Sequence, residues 1–165
     1  MYFLRVFVQN AQLIHTQNER NKKMNNLQTY FSNLLIWNVK LHNYHWNVVG
    51  KQFMSVHTFT EEVYDNVFEQ YDTVAELMKM RGQTPLVTVK DYLAHASIEE
   101  VSAKDFSVEE VLKAVHSEMA LMKDLAYVIR NEADEKNDAT MVAAFEDFIA
   151  YYEKQLWFIQ AILKA

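Results

Sequence analysis

From Leu27 onward, apolar residues recur at three- and four-residue steps: Leu27, Phe31, Leu34, Leu35 and Leu41, leading to His45. That spacing lays one apolar face along a helix, and Gly50 is placed to close it. A second helix is predicted from Phe53 to Arg81, striped by Phe53, Val56, Phe59, Val63, Val67, Tyr71, Val74 and Met78. Gly82 and Pro85 follow in the order expected just past a helix end. Residues 83–106 read as a connector holding one short amphipathic run, Val87 to His95. A third helix opens at Ser107, where Glu110 completes a capping box. It continues through Val111, Val115, Met119, Met122, Leu125 and Ile129 until the polar segment Asn131–Asp138 breaks it. A fourth carries Met141, Phe145, Phe148, Ile149, Tyr152, Leu156, Ile159 and Leu163.

Short loops make helices 1 and 2, and helices 3 and 4, antiparallel neighbours. The middle connector is long enough to cross a bundle of roughly 40 Å, the length that ~1.5 Å per residue gives helices of this size. The expected fold is therefore all-α: a ferritin-like four-helix bundle with a short extra helix in the crossover between helices 2 and 3. Composition agrees. The 165 residues include 2 Gly, 1 Pro and no Cys, too few turn formers for a sheet-rich fold. Without Cys there is no disulfide, iron–sulfur cluster or thiol nucleophile. No stretch approaches the ~18 apolar residues of a membrane span, and the opening MYFLRVFV lacks the cleavage site of a signal peptide. A cytoplasmic protein is expected.

Charge divides the chain. Residues 1–24 carry Arg5, Arg20, Lys22 and Lys23 against Glu19, whereas the whole has a net charge of -6. Residues 1–24 thus read as a basic N-terminal arm or extension, and 25–165 as one acidic domain. Such a body repels nucleic acid and attracts metal cations.

The second helix holds the strongest chemical signal. Between Lys51 and Lys79 it has no base, yet it carries Glu61, Glu62, Asp65, Glu69, Asp72 and Glu76, with His57 at the head. At ~100° per residue, His57, Glu61, Asp72 and Glu76 share one side bordering the apolar stripe. A solvated acidic face is the plain reading of any one carboxylate. The set is less ordinary, because like charges at i,i+4 destabilise a helix and histidine is a good iron or zinc ligand. The pairs His57/Glu61 and Asp72/Glu76 start 15 residues apart, about 22 Å along a helix, so they cannot share a metal. His45, across the turn at Gly50, joins the first pair and not the second. One chain then offers two half-sites, and a two-fold partner running antiparallel would complete both. No histidine has Glu three residues before it, so the Glu-x-x-His signature of an in-bundle di-iron site is missing. So are His-Glu-x-x-His, glycine-rich phosphate loops and Gly-x-Ser-x-Gly.

Leu41-His-Asn-Tyr-His-Trp46, Gly50, Phe53-Met-Ser-Val-His57, Glu61-Glu-Val-Tyr-Asp65 and Asp72-Thr-Val-Ala-Glu76 together resemble the signature of the Dps family, the starvation-induced mini-ferritins. The resemblance spans residues 25–165. It implies iron as substrate, with His45, His57 and Glu61 of one subunit and Asp72 and Glu76 of another forming a ferroxidase centre. Glu61 stands where the family commonly has aspartate. It also implies a homododecameric shell storing ferric mineral, oxidation with hydrogen peroxide and protection against oxidative damage. Trp46, beside the site, becomes a candidate electron donor, although an aromatic packed at an interface fits it as well. Glu132, Asp134, Glu135 and Asp138 become candidate linings of an iron-entry pore, or simply a solvated loop. The alternative function is DNA binding through Arg5, Arg20, Lys22 and Lys23, with the protein then associated with the nucleoid.

Overall fold

The computed structural model describes residues 26–164. Helix α1 covers residues 26–47, followed by a two-residue strand β1 (Val48–Val49), helix α2 (Phe53–Met80), the short helix α3 (Val89–His95), strand β2 (Phe106–Ser107), and helices α4 (Val108–Asp134) and α5 (Ala139–Leu163). The basic residues Arg5, Arg20, Lys22 and Lys23 lie outside the described residues.

Cross-helix contacts give the directions. His45 meets His57, Asn38 meets Tyr64 and Phe31 meets Tyr71, so moving back along α1 moves forward along α2. In the same way Arg130 pairs with Glu146 and Tyr127 with Glu153, which makes α4 and α5 antiparallel. Tyr30 and Trp37 of α1 both reach Tyr152 of α5. Trp37 and Lys40 reach Glu118 of α4. The result is the four-helix bundle with a single long crossover, its core filled by Phe31, Leu34, Trp37, Leu41, Val63, Val67, Val74, Val115, Met119, Met122, Phe145 and Ile159.

The crossover is fixed by polar groups that leave the helix surface to meet it. Buried Asn33 accepts from the Ser97 and Ile98 backbone N–H groups at 2.7 and 3.1 Å, and Asn43 donates to the Val101 carbonyl. These bonds satisfy backbone that crosses the bundle outside any helix. Thr88 caps α3 on Asp91 N–H, and Ser107 with Glu110 forms the expected capping box.

Two boundaries and the make-up of one buried stripe differ from the sequence pattern. The chain leaves α1 before Gly50, because Val48–Val49 pair in parallel with Phe106–Ser107 and tie the start of α4 to the α1–α2 turn. Gly50 then takes φ +127°, a conformation that favours glycine. Helix α4 continues through the polar Asn131 to Asp134, since Ala133 still packs into the core while its charged neighbours face outward. Within the α2 stripe, Phe53 is 37% exposed, whereas the polar Thr60 and Gln70 are buried.

Asp138 caps α5 on Met141 N–H and forms a two-pronged ion pair with Arg81, joining the end of α2 to the α4–α5 loop. The Arg81 guanidinium holds the Asp138 carboxyl below its ordinary pKa. A depressed carboxylate contributes stability that is present above the unfolded pKa of about 4 and is lost as pH falls through the folded value. Asp138→Asn should therefore lower the melting temperature by a few degrees at neutral pH, an effect of about 1 kcal/mol. The gap between variant and parent should narrow below about pH 4. Calorimetry across that range checks it, and a gap that stays constant into acid would contradict the ion-pair account.

Candidate metal centre

The α1–α2 turn brings His45 and His57 face to face, with ring centroids 3.6 Å apart and planes 21° from parallel. Each ring is held by the other's backbone. His45 Nδ1 lies 2.8 Å from the His57 carbonyl oxygen, and His57 Nδ1 lies 2.8 Å from the His45 carbonyl oxygen. A carbonyl only accepts, so both Nδ1 atoms must donate. In the neutral rings this leaves the lone pairs on the two Nε2 atoms. Orienting a histidine by a hydrogen bond from its far nitrogen is what the outer shell of a metal site does for its ligands. Thr60 supports the pair: its hydroxyl donates to the Val56 and His57 carbonyls on the buried side of α2 and sits 3.3 Å from His45 Nδ1.

Glu61 lies one turn beyond His57 and is exposed, as are Asp65, Asp72 and Glu76 farther along α2. His45 is 7% exposed, so the cluster is a buried imidazole beside open carboxylates. Among the described residues, no three His, Cys, Asp or Glu side chains of this one chain gather as a metal site. Asp72 and Glu76 stay at the far half of α2, roughly 22 and 28 Å along the axis from His57.

Tyr64 escaped the sequence reading. Its ring stacks on His42 at 3.9 Å and meets His45 edge-on at 5.3 Å. Partial burial and the charges of Glu61 and Asp65 raise the phenol pKa, and a hydrogen bond to Glu61 adds to the effect. Tyr64 therefore lies between an imidazole and a carboxylate of the candidate set. It stands seven residues after His57, two helical turns on the same face, a signal the carboxylate pattern hides. His42 is held by Asn38, its Nδ1 2.8 Å from that carbonyl oxygen, and Trp46 packs against it at 5.4 Å. Trp46 itself is 69% exposed on the single chain. A cleft of ≈ 470 Å³ opens beside these residues, lined by Asn38, His42, Tyr64, Asp65, Phe68 and Glu69. Exposed Trp46, Phe68 and Glu69 make this side of α1 and α2 a mixed apolar and acidic surface.

The acidic loop residues lie at the other end of the bundle. Glu132 accepts from Asn26, Asp134 pairs with Arg130, Asp138 pairs with Arg81, and Glu135 sits in the same turn after α4. His95 is exposed on α3, and His116 contacts Gln160 near the end of α5.

The model of the ferritin-like domain matches residues 24–165. The chain is 33% identical over 138 residues to the DNA protection during starvation protein of Brevibacillus brevis, covering 84% of this chain and 92% of that one. It superposes on the crystal structure of antigen TpF1 from Treponema pallidum with a TM-score of 0.85 at 29% identity, covering 88% and 93% of the two chains. The Dps protein of Vibrio cholerae O1, described as a member of a broad superfamily of ferritin-like diiron-carboxylate proteins, gives 0.81 at 25% identity, covering 87% of this chain and 89% of its own.

The tautomer assignment is directly measurable. Nitrogen-15 spectra of the metal-free protein at neutral pH should show Nδ1–H with a bare Nε2 for both His45 and His57. Protonated Nε2 with bare Nδ1 on either ring would contradict the reciprocal clamp.

Proposed function

Because the chain belongs to the ferritin-like domain family, and within it to the Dps proteins, we propose that it oxidises Fe(II) and stores the ferric product in a closed shell of identical subunits. Iron is the substrate and cargo. The observation that carries the reading is the His45–His57 clamp, which uses both Nδ1 atoms on backbone carbonyls and leaves both Nε2 atoms for a ligand role, one helical turn before Glu61. His45, His57 and Glu61 of one subunit bind Fe(II) together with Asp72 and Glu76 of a second subunit running antiparallel to it. Mixed imidazole and carboxylate donors suit iron and leave positions free for the oxidant. Anionic oxygen donors favour the ferric over the ferrous ion, which lowers the cost of electron loss.

Hydrogen peroxide is the oxidant in this reading. Two Fe(II) ions each give up one electron, and the peroxide takes both with two protons to form two waters. Pairing the electrons in this way avoids releasing a radical, which is the protective value of the reaction. The assembly is a dodecamer that holds the mineral in its cavity. Acidic side chains at the α4–α5 loop, Glu132 and Asp134 among them, offer a cation path. The name of the Brevibacillus brevis relative supports a second reading, protection of DNA by contact through Arg5, Arg20, Lys22 and Lys23. Gel retardation at low and high salt, with and without residues 1–23, decides it, since phosphate contacts weaken steeply as salt rises.

Subunit mixing tests the primary reading more sharply than single variants do. His57→Ala and Asp72→Ala shells should each oxidise Fe(II) with peroxide no faster than the protein-free mixture. Shells reassembled from equal amounts of both variants should recover about a quarter of the parental rate. In a two-fold interface, that is the share of sites drawing an intact histidine from one chain and an intact aspartate from the other. No recovery in well-formed mixed shells would rule out the shared site, and full activity of either single variant would rule out the ligand set.

A further inference from the structure

A carboxylate sits largely buried between α1 and α4. The Glu118 side chain on α4 is 11% exposed and receives three groups from α1. The Trp37 indole N–H donates to its Oε2 at 2.7 Å, the Lys40 ammonium reaches its Oε1 at 2.7 Å, and the Tyr44 hydroxyl lies 3.4 Å from Oε1. Trp37 is fully buried. Among the described residues, it alone of the three tryptophans gives its N–H to a carboxylate. Its ring faces Tyr152 at 6.3 Å, and Tyr152 bonds Tyr30 at 2.9 Å, both hydroxyls sharing the Gln70 amide oxygen at 2.6 Å. Trp37 also lies eight residues before His45 on one helix, about 12 Å along the axis.

A tie between α1 and α4 would need only a neutral acceptor. A carboxylate there is costly, because burial raises its proton affinity while Lys40 and the hydrogen bonds oppose that rise. The combination of an oxidisable indole, a hydrogen-bonded base and exclusion of water is what a proton-coupled electron donor requires. The need for one follows from the chemistry proposed above, on which this inference rests. When a single Fe(II) meets peroxide with no second Fe(II) beside it, one electron leaves the metal, and the products are Fe(III), hydroxide and a hydroxyl radical.

We propose that Trp37 and Glu118 together store that unpaired oxidising equivalent. The hydroxyl radical takes one electron from the indole and becomes hydroxide. The indole N–H proton passes along the existing hydrogen bond to the Glu118 carboxylate. A neutral indole radical and a carboxylic acid remain, shielded by the bundle. A later Fe(II) returns the electron, the proton returns from Glu118 to the indole nitrogen, and the balance is again two Fe(II) oxidised per peroxide. Trp37 acts at a distance from the metal, so it protects the site and takes no part in binding iron.

The test uses the assembled full-length protein, loaded with one Fe(II) per site and mixed with peroxide. Electron paramagnetic resonance on rapidly frozen samples should show a protein radical whose hyperfine pattern changes when tryptophan is ring-deuterated. Trp37→Phe should abolish that signal and raise spin-trapped hydroxyl radical several-fold per Fe(II) oxidised, while Trp157→Phe retains the signal. Glu118→Gln keeps an acceptor but cannot take the proton, so the radical yield should fall several-fold. Ring deuteration of the parental protein needs no substitution, so a radical that ignores the label overturns the proposal even where a variant folds poorly. Normal Fe(II) oxidation with the signal unchanged in Trp37→Phe overturns this inference alone. Failure of the parental shell to oxidise Fe(II) overturns the iron reading along with it.

Discussion

A straight helix cannot fold its own ends together, and that stiffness governs what this chain can do alone. Helix α2 runs unbroken from Phe53 to Met80, so His57 and Asp72 ride on one rod at a separation their side chains cannot close. Every feature that straightens the rod also enforces the division. Its buried stripe of Val56, Val63, Val67 and Val74 seats it firmly against the bundle, and its last turn is tied to the α4–α5 loop through Arg81 and Asp138. Symmetry is the natural escape. A surface that carries two half-sites at opposite ends of one rod is self-complementary under a two-fold axis, and a single contact then generates two equivalent sites.

The histidine pair owes its order to the backbone. The turn after α1 is short, and β1 pairs with β2 beside it, so the carbonyls of His45 and His57 are held by the fold itself. Each carbonyl then sets the opposite ring, and the stacked pair leaves little freedom to either. Ligands arranged in advance lose less entropy on binding than ligands that must be gathered. Tyr64 and Thr60 close the remaining sides from the same helix. The carboxylates stay exposed and keep their solvation until a partner or a cation covers them.

The helices were legible because their signals are local. Apolar spacing gave the bundle, Ser107 and Glu110 gave the α4 cap, and the length of residues 83–106 gave the crossover. The acidic residues of α2 were legible as a face, since angle around a helix can be counted. The mutual clamp of His45 and His57 was not, because it runs through backbone oxygens and any residue pair has those. The parallel pairing of Val48–Val49 with Phe106–Ser107 escaped for a related reason: two residues carry no periodicity. Glu118 was hidden in another way. Trp37, Lys40 and Tyr44 mark one stripe of α1, but nothing in α4 distinguishes Glu118 from its solvated neighbours until the two helices are packed together.

The core is poorly suited to hold a cation. Between α1, α2 and α5 the buried polar groups are Tyr30, Gln70 and Tyr152, with two phenols converging on one amide oxygen and the amide nitrogen donating to Asn66. This network is neutral, and burial raises the pKa of both phenols, so none of its members readily becomes an anionic ligand. A divalent cation placed there would lose its hydration for one amide oxygen and two phenols that already donate to it, a poor exchange. Glu118, a carboxylate drawn toward the interior, is occupied by Lys40 and Trp37. With the centre closed to cations, the free carboxylates of α2 lie on its exposed face, where the shared site proposed above would form between subunits.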